Sequence, residues 1–227
     1  MELFIMLFNK IINFLKYPIA FIFAFLTIKL LKLLFEMVIN FYNHSTNYQN
    51  FFIGMTIYWV LWIIIFNQKR DNWFLTIEHE LTHTLFALLT FHKIIDFKAT
   101  GNRGGYMRFS GIGGGNWLIT IAPYFFPTFS MVVIAFIYIS ESKFYPILTL
   151  ILGYSTLYHI HSTYQEITLQ QPDIQEVGLI FSFLFLPSAN LFALIGILSA
   201  IPSDNIEFTT IIKNIYEYVL YHFFTFF

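Results

Sequence analysis

Long apolar stretches separated by short polar ones dominate the pattern of the chain. A membrane-spanning helix needs about 20 mostly apolar residues, with a range of about 17–25. Stretches that reach or approach this length are Pro18–Phe41, Phe51–Phe66, Leu75–Phe91, Trp117–Ile139, Tyr145–Ile160 and Val177–Ile201. We predict that each is a transmembrane helix. The pattern therefore predicts an all-α polytopic membrane protein with about six transmembrane helices.

The two ends of the chain have a more mixed pattern. Residues 1–16 combine Lys10 and Lys16 with bulky apolar side chains, which predicts a helix lying in the membrane interface. Residues 207–227 combine charged residues with several Tyr and Phe, and they predict either an interfacial helix or an additional membrane segment. We find no internal repeat, and we expect residues 1–227 to form a single membrane-embedded domain.

The composition agrees with a membrane location. Hydrophobic residues make up 57% of the 227 residues and charged residues only 11%, whereas a soluble domain carries roughly 25% charged residues. This composition excludes intrinsic disorder and argues against an ordinary water-soluble enzyme. The net charge of -1 gives no basic field, so we expect no nucleic-acid partner. The absence of cysteine excludes disulfides, thiolate metal sites and a cysteine nucleophile.

One apolar stretch carries the polar sequence EHELTH, which contains the pattern H-E-x-x-H. His79 and His83 are one helical turn apart, so both imidazoles project from one face and can bind the same metal ion. Zinc suits such ligands and keeps a position open for water, from which Glu80 can take a proton. Ionisable groups inside membrane segments are costly and usually functional, which favours a metal site over a polar helix interface. Glu78 either supports this site or stabilises the start of the helix.

A catalytic zinc usually has three protein ligands, so one more is expected. The candidates are His92, His159, His161, Glu166, Asp173 and Glu176. We expect His92 to face water and Glu166, in a polar stretch, to be hydrated. Asp173 follows Pro172, which breaks any preceding helix, and it stands just before the last long apolar stretch. Glu176 is its main rival, because the two could share one helix face.

From Trp73 to Val177 the chain resembles the site-2 protease family of intramembrane zinc metallopeptidases, especially its compact bacterial members. The resemblance is carried by the H-E-x-x-H motif, the glycine-rich GNRGGYMRFSGIGGGN, the segment NWLITIAPYFFP and Asp173 in QPDI. It implies that the single domain is metallopeptidase-like, with one zinc ion held by His79, His83 and Asp173 and with Glu80 as the base. It also implies hydrolysis of peptide bonds in a transmembrane or membrane-anchored protein substrate, by a multi-pass protein of the bacterial inner membrane.

The glycine-rich stretch has a pattern of its own. Short β-capable runs alternate with turn residues in FKATGNRGGYMRFSG, which predicts a small β-hairpin after the motif helix. The edge of such a hairpin could add an unwound substrate strand through backbone hydrogen bonds. The alternative is a flexible surface loop in which Arg103 and Arg108 meet lipid headgroups.

Three functions are compatible with these residues. The first is an intramembrane zinc metalloprotease. The second is a membrane protease of another zinc class, with Glu166 or Glu176 as the third ligand. The third is a non-proteolytic multi-pass protein, such as a transporter or an immunity-type factor, which uses the site for metal or proton binding. The first two require Glu80 as a base, and the third requires only the ligands.

Overall fold

The computed structural model describes residues 2–66, 73–100, 104–110 and 114–202, with 213, 216, 217 and 220 in the tail. The helices in these residues are α1 (Glu2–Phe14), α2 (Lys16–Asn43), α3 (Gln49–Leu61), α4 (Trp73–Leu89), α5 (Trp117–Ile121), α6 (Thr128–Ile139), α7 (Tyr145–Glu166), α8 (Pro172–Val177) and α9 (Leu179–Ser199). The strands are β1 (Lys93–Thr100) and β2 (Gly104–Ser110). Apart from those four positions, the predicted tail segment 207–227 lies outside the described residues, as does Arg103.

Helices α2 and α9 are long and apolar enough to cross a membrane, and they pack side by side. Between them, the Thr27 and Ser188 hydroxyls contact each other, and Ser188 also bonds to the carbonyl of Phe23. Polar side chains of this kind hold helices together where lipid gives no hydrophobic drive for association. Helices α5 and α6 make a third candidate span only if they are counted together, so the described residues contain two or three candidate spans. The six-helix arrangement stays a prediction.

The predicted helix Trp117–Ile139 is wrong as a single element. Helix α5 ends at Ile121, a 3₁₀ turn covers Ala122–Tyr124, and α6 begins at Thr128 after a bend of 83°. Two prolines, Pro123 in the turn and Pro127 just before α6, lack the N–H that a continuous helix would need. The break turns Tyr124 into the interior of the protein.

The predicted β-hairpin is confirmed. Strands β1 and β2 pair antiparallel, with Phe97 opposite Met107 and Thr100 opposite Gly104. Phe91, with φ of 66°, turns the chain from the end of α4 into β1. Both strands pack against α4, so the hairpin lies directly on the helix that carries the H-E-x-x-H motif.

Helices α3 and α7 approach each other at two glycines. A methyl group on Gly54 would overlap the carbonyl of Leu150, and one on Gly153 would overlap the carbonyl of Phe51. Small residues permit this backbone-to-backbone contact, which is frequent between membrane helices. The contact fixes α7 in place, and α7 extends from there to Glu166 beside the motif helix.

Candidate metal centre

Helix α4 and the short helix α8 bring three potential metal ligands together. His79 and His83 lie one turn apart on α4, with their Nε2 atoms 3.1 Å from each other. Asp173, in the first turn of α8, places Oδ2 3.3 Å from both of these nitrogens. The three atoms form a nearly equilateral triangle.

The size and chemistry of this triangle fit a zinc ion. In a tetrahedral zinc site, bonds of about 2.0–2.1 Å put neighbouring ligand atoms about 3.3–3.4 Å apart. The distances of 3.1 and 3.3 Å between the three atoms are close to those edges. Two imidazoles and one carboxylate are also ligands that zinc accepts, and a set of three leaves the fourth position for water.

Both imidazoles have their other nitrogen turned toward an acceptor. His83 Nδ1 donates to the backbone carbonyl of Ile119 at 2.8 Å. His79 Nδ1 lies 3.3 Å from Glu166 Oε1, an ion-pair distance without hydrogen-bond geometry. Metal-binding histidines usually face a carbonyl or carboxylate in this way, because the partner fixes the ring and its tautomer. The arrangement leaves both Nε2 atoms to face the centre of the triangle.

The expectation that Glu166 is hydrated is wrong. Its side chain is buried, with 8% of the residue exposed. The physical reason is the length of α7, which continues six residues beyond the predicted end at Ile160 and carries Glu166 to the motif helix. The sequence named Glu166 as a candidate ligand, but no local pattern indicated that it would be buried beside His79 Nδ1.

Tyr124 is a member of the site that the sequence analysis missed. It is fully buried in the break between α5 and α6, and its hydroxyl donates to Asp173 Oδ2 at 3.0 Å. Its ring stands edge-on to the imidazole of His79, with centroids 5.4 Å apart. Asn190 on α9 donates to its backbone carbonyl at 2.9 Å. The two prolines that flank this tyrosine were the available signal that the helix breaks here.

The other candidate ligands lie away from the triangle or at the edge of its cleft. His92 is 2% exposed, so the expectation that it faces water is wrong. His161 pairs with the hydroxyl of Tyr58 at 2.7 Å, and His159 is buried on α7. Glu176 is exposed and borders the cleft. Among the described residues, the group that could hold a metal is His79, His83 and Asp173.

A cleft of about 620 Å³ opens beside the triangle, between α4, β2 and α8. Glu80 lies in its wall and is mostly buried. Strand β2 passes so close to Glu80 that a Cβ on Gly105 would stand 2.5 Å from Glu80 Cγ and 2.8 Å from Oε1. Only glycine allows this approach. The cleft is therefore bordered by the carboxylate of Glu80, by the three atoms of the triangle and by strand β2.

A protein-family model described as Peptidase M50B-like matches residues 51–169, just over half of the chain. The matched segment contains the motif helix, the hairpin, Tyr124 and Glu166, and it ends four residues before Asp173. Comparisons with curated proteins and with solved structures give no match.

Proposed function

Because the chain belongs to the Peptidase M50B-like family, which places it among the site-2 proteases, we propose that it is an intramembrane zinc metalloprotease. Its substrates would be transmembrane or membrane-anchored proteins, whose peptide bonds it hydrolyses. The observation that carries the proposal is the triangle formed by His79, His83 and Asp173, which opens into the same cleft as Glu80.

His79, His83 and Asp173 would hold the zinc ion. When bound, zinc supplies Lewis acidity, which lowers the pKa of a coordinated water and polarises a carbonyl. Glu80 does not belong to the triangle, and its role is that of a general base and acid. It accepts a proton from the attacking water and then gives that proton to the leaving amine.

Tyr124 supports this chemistry through Asp173. Its hydroxyl donates to Oδ2, the same oxygen that faces both imidazoles. The bond restricts rotation of the carboxylate and keeps Oδ2 directed at the triangle. Since partners of metal ligands orient those ligands, Tyr124 is a positioning residue in this proposal.

The substrate would enter the cleft in an extended conformation. Residues of β2 border the cleft, and β1 pairs with the opposite side of that strand. An unwound substrate segment could pair with the edge of β2 and so bring a peptide bond toward Glu80. The apolar helices support a membrane location, and we assign the protein about six spans and the bacterial inner membrane as part of the same proposal.

Metal analysis combined with a cleavage assay tests the proposal. Protein purified in detergent is expected to contain about one zinc ion per chain and to cleave single-span membrane substrates. Removal of zinc with a chelator should stop cleavage, and adding zinc back should restore it. Stoichiometric zinc without cleavage of any substrate in a broad panel would favour the non-proteolytic alternative.

Gly105→Ala is expected to lower the cleavage rate without removing zinc. The new methyl group would lie 2.5 Å from Glu80 Cγ and 2.9 Å from the Lys98 carbonyl oxygen, so either Glu80 or β2 must move. A displacement of about 1 Å in an active site can cost about 100-fold in rate. Lys98→Ala, on the exposed side of the neighbouring strand, is the matched control and should keep the wild-type rate. A wild-type rate for Gly105→Ala would show that the close approach to Glu80 is not needed.

Glu166→Gln is expected to weaken zinc binding by about 10–100-fold, the usual cost of altering a partner of a metal-binding histidine. Glutamine fills the same space but removes the negative charge that faces His79 Nδ1. Competition with a chelator of known affinity measures the change. Glu176→Gln makes the same substitution at an exposed carboxylate of the same cleft and should leave the affinity unchanged. Equal affinities for both variants would mean that Glu166 does not orient His79.

A further inference from the structure

Helix α1 docks onto the rest of the protein through a buried polar contact. Asn9 is 4% exposed, and its amide nitrogen donates to the carbonyl of Gly114 at 3.0 Å. The same nitrogen lies 3.0 Å from Nε2 of His92, while Asn116 Nδ2 donates to Asn9 Oδ1 at 2.8 Å. The Asn9 side chain thus joins α1 to His92, between α4 and β1, and to the segment that leads into α5.

A second group of contacts lies one turn further along α1. Asn13 Oδ1 accepts from the backbone N–H of Trp117 at 3.1 Å. The indole N–H of Trp117 donates to the carbonyl of Ile12 at 2.6 Å. Together with Asn9, these contacts attach α1 to residues 114–117, where Gly115 borders the cleft.

The segment held by α1 leads directly to a proposed metal ligand. Asn116 is the N-cap of α5, and its Oδ1 accepts from the backbone N–H of Ile119 at 3.2 Å. The carbonyl of Ile119 accepts from His83 Nδ1 at 2.8 Å. The Asn116 side chain therefore has two separate tasks: its oxygen caps α5, and its nitrogen bonds to Asn9.

We propose that Asn9 is a positioning residue for His83, and that α1 belongs to the functional unit although the family match begins only at residue 51. The inference rests on the proposed role of His83 as a zinc ligand. Asn9 fixes Asn116, the cap fixes the first turn of α5, and the carbonyl of Ile119 holds the imidazole. The Asn9 amide is buried, so its partners could not bond to water if the amide were removed. This cost favours one fixed position of Asn9 relative to Asn116.

The test compares Asn9→Leu and Asn116→Asp with Lys10→Leu in the 227-residue chain. Asn9→Leu removes the amide, whereas Asn116→Asp keeps a capping oxygen, replaces the nitrogen that bonds to Asn9 with an oxygen, and adds a negative charge that a helix N-terminus tolerates. Lys10 is the next residue of α1 and is exposed, so it is the matched control. Asn116→Asp keeps the proposal testable if Asn9→Leu does not fold.

Two readouts do not depend on proteolysis. In metal-free protein, hydrogen exchange of the Ile119 and Thr120 amides should be about tenfold faster in Asn9→Leu than in the wild type or Lys10→Leu. In zinc-loaded protein, transfer of zinc to a chelator should be about tenfold faster in both Asn9→Leu and Asn116→Asp. Zinc transfer from the double variant should be no faster than from the faster of the two single variants, because both substitutions break the same series of contacts from Asn9 to His83.

Wild-type exchange and zinc transfer in folded Asn9→Leu, or wild-type zinc transfer in Asn116→Asp, would overturn the proposal. The proposal would also be overturned if the effects of the two substitutions on the zinc-transfer rate added up in the double variant. If no variant and no wild-type protein cleaves a substrate while zinc transfer still depends on Asn9, the proteolytic function fails and this inference stands. If the wild type cleaves and zinc transfer is unaffected by Asn9, the inference alone fails.

Discussion

Glu80→Gln is expected to reduce peptide hydrolysis by about 10²–10⁴-fold, the usual contribution of a general acid–base, while zinc content stays at the wild-type level. Glutamine has the size of glutamate, so it fits the narrow space beneath Gly105 without displacing β2. Its carboxamide cannot accept the proton of the attacking water. Glu80 also lies outside the ligand triangle, so its substitution should not release metal.

The measurement pairs turnover of a verified membrane substrate with metal analysis of the same preparation. Glu176→Gln serves as the control, because it changes an exposed carboxylate of the same cleft in the same way. Full turnover by Glu80→Gln would refute the proposed mechanism. Loss of zinc from Glu80→Gln would instead make Glu80 a ligand and change the class of the site.

Asp173→Ala is expected to lose both zinc and activity. The substitution removes one of the three atoms of the triangle and leaves the hydroxyl of Tyr124 without its acceptor. The affinity should fall by more than the about 10–100-fold that follows from altering an outer partner. His79→Ala and His83→Ala should have the same result, since each removes a nitrogen of the triangle.

The zinc content of each variant after dialysis against a weak chelator decides this prediction. Glu176→Ala, three residues further along α8, is the control and should retain the metal. The opposite pattern, with zinc lost from Glu176→Ala and kept by Asp173→Ala, would place the site in another class of zinc protease.

Local sequence was enough for the parts of the site that depend on one helix or one turn. The spacing of His79 and His83 has one geometric consequence on a helix, and α4 has that geometry. The glycine-rich stretch predicted the hairpin because turn residues separate two β-capable runs. Asp173 was preferred to its rivals because Pro172 breaks any preceding helix just before the last long apolar stretch, and because the family resemblance favours an aspartate.

The positions of Tyr124, Glu166 and Asn9 depend on which helices pack together, and a short stretch of sequence does not contain that information. Tyr124 and Asp173 are 49 residues apart, and Asn9 and Asn116 are 107 residues apart. Glu166 was misjudged because it lies in a polar stretch whose nearest polar members, Gln165 and Thr168, are exposed, while Glu166 itself faces His79 on α4. A hydrophobic pattern gives the period of an element but not the partner of each face.

In the proposed protease, the attachment of α9 would restrict how a substrate gains access to the cleft. This helix contacts the site at two points: Asn190 holds the backbone of Tyr124, and Gly178, with φ of 92°, joins α9 directly to the helix of Asp173. An outward movement of α9 would displace Asp173 and also Tyr124, whose hydroxyl bonds to Asp173. The hairpin contributes no atom to the triangle, so its displacement could admit a polypeptide and leave the ligand geometry intact. For the proposed protease, substrate entry on the side of β2 would therefore leave His79, His83 and Asp173 in place.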